Sequence, residues 1–414
     1  MTLLLCCDNV IIIGVFYCVN IMLYFMKNKQ MKVAIVLLNQ GRGSGVVAKE
    51  HGKYLLEQGY VVYYMHPDVG KGINGAINKE VHLNSDIIPV HEYLPSAKDT
   101  QKAVSSMGYE EAMDYVTAYE DALEEIISEV DLVIGHHANL TAIATANICR
   151  KHKKPYVLFL HGTGIEPRHH GLYDDKVWQL IEGAIKGANG IIVTTEYVRD
   201  KLVRNIIDLP LDRFLIQACG VNVTEFNPEN TEGITNKYSL PSRYVICPGA
   251  LTKSKGPQNV VESSIQYSDL AETIFIGDGE LREELEAQLG ERGRFLGFVS
   301  NEEKAKLINA ATLLVAAPEK KEHFGIIYTE AMAGGVPIVA YEGGGVNSII
   351  TPDTGILTER NPKALGETVR SLLLNEKRRS DMAIKCRERA TEFYATEVLG
   401  PRLNQWLLRI LNGH

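Results

Sequence analysis

Cysteines at metal or redox spacing are missing from this chain. Its seven cysteines (Cys6, Cys7, Cys18, Cys149, Cys219, Cys247 and Cys386) are odd in number, and none forms a C-x2-C pair. That argues against a disulfide scaffold and fits a reducing compartment. Basic charge is also scarce: 43 Lys and Arg face 51 Asp and Glu, for a net charge of −8. A nucleic-acid binder presents a basic stripe. The compact basic run here, Lys151-His152-Lys153-Lys154, precedes an apolar strand and reads as a solvated helix end, so nucleic acid is not expected as a partner. Repeats of solenoid length and low-complexity tracts are absent. So is a D-x-D at a strand end that would hold a divalent cation, and no metal site is expected.

What is present is an ordinary globular composition, 45% hydrophobic and 23% charged over 414 residues. That suits two domains of roughly 150–200 residues each. The N-terminus stands apart. Residues 10–26 read VIIIGVFYCVNIMLYFM, with Asn20 the one strongly polar position. This is close to the short limit of a membrane span, about 17 residues. Lys27, Lys29 and Lys32 follow and would keep the C-terminal side in the cytoplasm. A small-residue cleavage site is not evident. Residues 1–30 are therefore expected either as a membrane anchor or as a misassigned start, with translation then beginning at Met31, just ahead of the strand-like KVAIVLL. The protein is expected in the cytoplasm, anchored to or peripheral on the cytoplasmic face of the membrane.

From Met31 onward, apolar strand-like runs alternate with helical periodicity. Strands are expected at 32–38, 60–65, 131–135, 156–160 and 190–194, with helices up to 58 and over 110–130, 140–151 and 175–187. Residues 226–243 turn polar and rich in turn formers, and read as a linker. A second series follows, with strands at 244–247, 273–276, 295–296, 313–316 and 337–340 and helices at 281–290 and 301–310. It ends in an amphipathic helical tail over 364–411. Such alternation implies parallel sheets with helices on both faces. The expected class is α/β: two doubly wound, Rossmann-like domains, 31–235 and 236–395, facing each other across a cleft. A C-terminal helix, 396–414, is expected to pack back towards the first domain. Ligands in such sheets bind at the carboxyl ends of the strands.

The strongest chemical signal runs from Glu322-His323-Phe324-Gly325 through Glu330-Ala331-Met332-Ala333 to Pro337. Two carboxylates stand eight apart, with Gly325 near the start of a helix. A helix N-terminus offers free N–H groups and a positive dipole end, a natural seat for a diphosphate. The acid/base pair of a retaining glycoside hydrolase needs its carboxyls about 5 Å apart. Eight residues of helix would separate Glu322 and Glu330 by about 12 Å, so together they would grip different parts of one extended ligand. The loop Asn39-Gln40-Gly41-Arg42-Gly43-Ser44-Gly45 is a weak motif by itself. A dinucleotide fingerprint would place a third glycine where Val46 stands, and Asp68 is its one candidate ribose acid.

The segment 322–337 resembles the E-x7-E signature of family 4 glycosyltransferases (glycosyl transferases group 1), retaining enzymes of the GT-B fold. Their motif reads approximately E-x-F-G-x-x-x-x-E-A-M-A-x-G-x-P-V-V, and the resemblance extends over nearly the whole chain from Met31. It implies an N-terminal acceptor-side domain and a C-terminal nucleotide-sugar domain. Glu322 would contact the donor sugar at the reacting centre and Glu330 the ribose hydroxyls, with Phe324 and Gly325 in the same donor-binding motif. Gly41, Gly43, Ser44 and Gly45 match the glycine loop near the diphosphate and the acceptor. His161-Gly162 matches the histidine that contacts the donor sugar, and His136 and His137 resemble the acceptor-side histidine; a lone histidine is more often core or surface. Pro248–Gly256 resembles G-R-L-x-x-x-K-G, which makes Gly249 donor-binding and gives Lys255 the task of neutralising the leaving diphosphate. Ala250 stands where the family has Arg, and Lys253 would approach from another direction. Gly277 belongs to a strand-end G-x-G, Phe298 and Val299 to the segment whose backbone reads the base, and Gly344 and Gly345 to the glycine loop under the phosphates. Ser348 stands where the family usually has Glu.

The reaction so implied is a retaining, metal-independent transfer of a hexose of mannose or glucose type from a nucleotide-diphosphate sugar. The acceptor would be a glycan, a lipid or a small molecule. The nucleotide sugar is a co-substrate, and no further cofactor is expected. The EHFG form leans towards mannosyltransferases that build lipid-linked oligosaccharides, which would suit contact with the membrane. Two rivals remain: a GT-B-like nucleotide-sugar 2-epimerase, which the E-x7-E motif opposes, and a non-catalytic nucleotide-sugar-binding subunit, which Ala250 favours.

Overall fold

The computed structural model describes residues 30–40, 43–91 and 100–413. The choice between an anchor and a misassigned start for the N-terminal segment lies outside the described residues, as does Gly41. Within them, no helix is long and apolar enough to cross a membrane.

Fully buried apolar runs build the middle of the first sheet. Its strands are β1 (Lys32–Val36), β2 (Val61–His66) and β3 (Ile77–Glu80), then, beyond the small separate pair β4 (Ile88–Val90) and β5 (Gln101–Ala103), β6 (Leu132–His136), β7 (Tyr156–Leu160), β8 (Gly190–Val193) and β9 (Phe214–Ile216). All seven run parallel in the order β3-β2-β1-β6-β7-β8-β9. The main crossover helices are α1 (Gly43–Glu57), α2 (Tyr109–Glu124), α3 (Leu140–His152) and α4 (Asp175–Gly187). Asn139 caps α3 by accepting from the Thr141 N–H, and Asp174 caps α4 in the same way.

The second sheet repeats the plan with β10 (Tyr244–Pro248), β11 (Glu272–Ile276), β12 (Gly293–Phe295), β13 (Leu313–Ala316), β14 (Ile338–Tyr341) and β15 (Gly355–Thr358). Its order is β12-β11-β10-β13-β14-β15, again all parallel. Its helices are α5 (Pro257–Ser263), α6 (Arg282–Leu289), α7 (Asn301–Asn309), α8 (Ile326–Ala333), α9 (Pro362–Leu374) and α10 (Glu376–Arg389). Ser300 and Glu303 form a reciprocal capping box on α7. The winding direction reverses between β1 and β6 and between β10 and β13, and at such switch points the strand ends splay into a crevice.

Several elements differ from the sequence expectation. Helix α2 stops at Glu124, and the following residues to 129 form turns. The strands β3, β9 and β15 were not anticipated. β3 is the polar run Ile-Asn-Lys-Glu at the sheet edge, where exposure on both sides erases the apolar pattern. The polar stretch 226–243 is fastened down, not slack: Arg294 donates to the carbonyls of Tyr238 and Ser239, and Arg387 to that of Phe226.

After α10, helix α11 (Thr396–Leu411) returns to the first domain. There Tyr60 Oη donates to Asn404 Oδ1 at 2.5 Å. Gly400 leaves room for the Tyr54 ring, and Trp406 lies over Gly190, where a Cβ would come within 2.4 Å of the indole. Trp406→Ala should therefore lower stability by about 3 kcal/mol, read from the urea unfolding midpoint. A loss below about 1 kcal/mol, typical of a surface site, would mean that α11 contributes little to holding the first domain.

Candidate active site

Five loops leave the carboxyl ends of central strands and converge. From the first domain come His136-His137 after β6 and His161-Gly162 after β7. From the second come Gly249 after β10, the loop 317–325 after β13 and Gly343-Gly344-Gly345 after β14. Between them lies a cavity of about 440 Å3 whose wall is drawn from both domains.

Glu322 and Lys255 meet on this wall: Lys255 Nζ donates to Glu322 Oε1 at 2.7 Å. Half of the Lys255 side chain is exposed, against 22% for Glu322, so the pair faces the open space. Phe324 and Gly325 line the cavity beside it. Gly325 adopts φ 87°, ψ 82° as the residue before α8. A Cβ there would come within 2.4 Å of the Tyr328 ring, which together with the positive φ demands glycine. This corrects one expectation. Because the helix starts only at Ile326, the seven residues between the two glutamates are three of loop and four of helix, and the 12 Å helical separation does not apply.

Glu330 sits inside α8, almost buried, and accepts from Lys304 Nζ at 2.6 Å. Its second oxygen, Oε2, is buried without a hydrogen-bond partner. It stands apart from the residues that line the cavity, as do Phe298, Val299 and Gly277. Phe298 is 84% exposed, the most exposed large apolar side chain among the described residues. The Gly277 N–H donates to Gly297 O at 2.8 Å, and a Cβ on Gly277 would meet Gly249 O at 2.0 Å. Gly277 thus allows the cavity-lining Gly249 to approach.

Gly344 and Gly345 also act from behind the wall. The Gly345 N–H donates to Glu322 O at 2.7 Å, and Gly344 forms an isolated β-bridge with Glu322. A Cβ on Gly345 would lie 1.9 Å from His323 O. The loop after β14 therefore fixes the backbone of Glu322. In the first domain Gly43 and Ser44 line the cavity at the start of α1, whereas Gly45 packs on the Gln40 carbonyl.

His161 lines the cavity and His136 lies behind it, with His136 Nδ1 and His161 Nε2 2.9 Å apart. His137, at φ 69°, stacks between His161 and His91. Burial pushes His136, His137 and His161 well below the usual imidazole range, and nearby His51 down to about 4. All four rings are thus neutral at neutral pH. His136 Nε2 is buried without a partner. A proton there would be an orphaned N–H, which favours His136 donating through Nδ1. Neutral His161 then carries its proton on Nδ1 and can donate it to a sugar hydroxyl.

Sequence reasoning passed over Lys320 and Lys321, which directly precede Glu322 and line the same cavity. It also passed over Glu166, whose Oε2 lies 2.5 Å from Lys320 Nζ and 3.3 Å from His323 Nε2. Burial raises the Glu166 carboxyl, but His323 and Lys320 outweigh it and bring it down to about 2. The folded value lies below the ordinary 4.5, so this contact stabilises above that pH and is lost as pH falls towards 2. The doublet Lys320-Lys321 beside the motif was a readable signal, whereas Glu166 carried none.

Two facing Rossmann-like domains with a cavity at their strand ends define the GT-B class. Structures of that class agree over nearly the whole chain. Sucrose-phosphate synthase from Thermosynechococcus elongatus superposes with TM-score 0.75 at 16% identity, covering 93% of this chain and all of that one. HepE of Anabaena, solved in complex with UDP, gives 0.71 at 14% identity, covering 92% and 99%. The family models Glycosyltransferase Family 4 and Glycosyl transferases group 1 match residues 41–225 and 234–389. The chain belongs to the family 4 glycosyltransferases. An uncharacterized glycosyltransferase of Methanocaldococcus jannaschii is 31% identical over 233 residues, which is 53% of this chain and 59% of that protein. A GDP-mannose-dependent alpha-(1-6)-phosphatidylinositol dimannoside mannosyltransferase of Mycobacterium tuberculosis is 25% identical over 215 residues, 49% of this chain and 53% of that protein. The matched stretches thus span little more than half the length of these relatives.

Proposed function

We propose that this protein is a retaining glycosyltransferase that moves a hexose from a nucleotide-diphosphate sugar to a hydroxyl acceptor without a metal ion. The observation that carries the reading is the Lys255–Glu322 pair at 2.7 Å, held beside the N-terminus of α8 on a wall shared by both domains. The names of two similar proteins, one GDP-mannose-dependent and one solved with UDP, support a nucleotide-sugar donor.

In this reading the diphosphate lies against Lys255 and the free N–H groups of α8, with Lys321, on the same cavity wall as Ala250, adding positive charge. These fixed charges stabilise the negative charge that grows on the leaving group. The bond from the anomeric carbon to the phosphate oxygen breaks while the acceptor oxygen bonds to that carbon on the same face. The acceptor's proton passes to the departing phosphate oxygen. Glu322 and the Nδ1–H of His161, both on the cavity wall, hold the sugar. The acceptor, a glycan, a lipid or a small molecule, enters from the first domain's side of the cavity in this reading.

The test incubates the protein with a panel of nucleotide sugars and candidate acceptors in EDTA and measures nucleotide diphosphate release. Release from one donor is expected, unchanged by the chelator. Loss of release on adding EDTA would overturn the metal-free mechanism. Donor binding without any release would move the protein to the class of non-catalytic binding subunits, in keeping with Ala250.

A further inference from the structure

A charged contact crosses the cleft beside the cavity. Glu166, in the first domain just after β7, reaches Lys320 Nζ at 2.5 Å and His323 Nε2 at 3.3 Å in the second. The carboxylate and the imidazole are mostly sheltered, with 13% and 10% of their side chains exposed. Two more first-domain groups touch His323. Thr195 Oγ1 donates to its carbonyl at 2.9 Å. Gly162, at φ 102°, packs so closely that a Cβ would lie 2.6 Å from the ring. The first domain therefore holds His323 by its imidazole, its carbonyl and its ring face, and His323 is the residue next to Glu322. The second domain holds the same loop from the other side through the Gly345 N–H to Glu322 O.

We infer that Glu166 is a positioning residue: by reaching across the cleft to Lys320 and His323, it holds the loop that carries Glu322 in its working geometry and keeps the two domains closed. The catalytic half of this inference rests on the proposed transferase reading, and the closure half does not. The charge balance supports it. A carboxylate this sheltered is costly to bury alone, and the groups that meet it, the Lys320 ammonium and the His323 imidazole, both come from the opposite domain, so opening the cleft would separate them. Removing one partner of such a pair leaves the others uncompensated, whereas removing both is milder.

The experiment uses the full chain with Glu166→Gln, Glu166→Asp, Lys320→Met and the double variant Glu166→Gln/Lys320→Met. Small-angle scattering of the ligand-free proteins reads closure, and steady-state release of nucleotide diphosphate reads positioning. Glu166→Gln is expected to enlarge the radius of gyration and to lower kcat at least tenfold, with donor KM within about threefold. Glu166→Asp should recover most of both, and the double variant should be no worse than Glu166→Gln, because the two side chains act through one contact. Unchanged scattering with kcat within twofold of the parent would overturn the inference. If Glu166→Gln fails to fold, Lys320→Met carries the same test from the other side. If the parent itself releases no nucleotide from any donor, the transferase reading fails, and scattering alone still decides whether Glu166 closes the cleft.

Discussion

Glu322→Ala is expected to abolish turnover while leaving nucleotide diphosphate binding as tight as in the parent, or tighter. The Glu322 carboxylate accepts from Lys255 Nζ at 2.7 Å. An incoming diphosphate competes with it for the same ammonium group. Alanine removes that competitor, so affinity for the free nucleotide diphosphate should hold or rise. The same change removes the group that grips the sugar at the reacting centre, and release should fall by on the order of 10^3-fold, the scale on which preorganised electrostatic groups act. Lys255→Ala should show no such split, with weaker nucleotide diphosphate binding and slower release together. Calorimetric titration of nucleotide diphosphate beside a release assay separates the two. Should Glu322→Ala bind nucleotide more weakly yet turn over within tenfold of the parent, the carboxylate serves binding and the assignment of roles is wrong.

Gly345→Val is expected to silence the protein from a position outside the lining of the active-site cavity. Its Cβ would stand 1.9 Å from His323 O and 3.0 Å from the Thr195 side chain. The obstacle is backbone on one side and the opposite domain on the other, so the loop 320–325 must shift instead. A displacement of about 1 Å at a reacting group costs around 10^2-fold in rate. Overpacking should also lower stability by about 1–3 kcal/mol. Gly183, inside α4, meets nothing within 4 Å, and Gly183→Ala should be neutral or slightly stabilising, a control for glycine replacement as such. If Gly345→Val retained activity within twofold, the loop after β14 would not be what fixes Glu322.

The two halves of the fold were legible because each central strand is a short, uninterrupted apolar run, such as Val-Ala-Ile-Val after Lys32 or Tyr156–Leu160, bounded by turn residues and followed by a helix. Edge strands such as β3 escaped because a strand open to water on both faces keeps no period to read. The motif 322–337 was legible for a related reason. A loop, a left-handed glycine and a helix start are built from consecutive residues, so their chemistry is written in one stretch. The eight-residue spacing was readable but its geometry was not, since Gly325 at φ 87° ends the loop and delays the helix to Ile326.

By itself, then, the sequence determined an α/β chain with two parallel sheets, a glycine-bounded acidic loop at a strand end and a lysine, Lys255, in a matching loop of the same domain. Only the tertiary structure decided which charges meet: Lys255 with Glu322, Lys304 with Glu330, and Glu166 with Lys320 and His323 across the cleft. It also decided that Gly344 and Gly345 brace the Glu322 backbone while His136 stands behind His161. The reason is the range of the forces involved. Periodicity and capping act between residues a few positions apart. Charge pairing and close packing join side chains that come together only when two sheets are wound and set face to face, and nothing in the local order of residues records that approach.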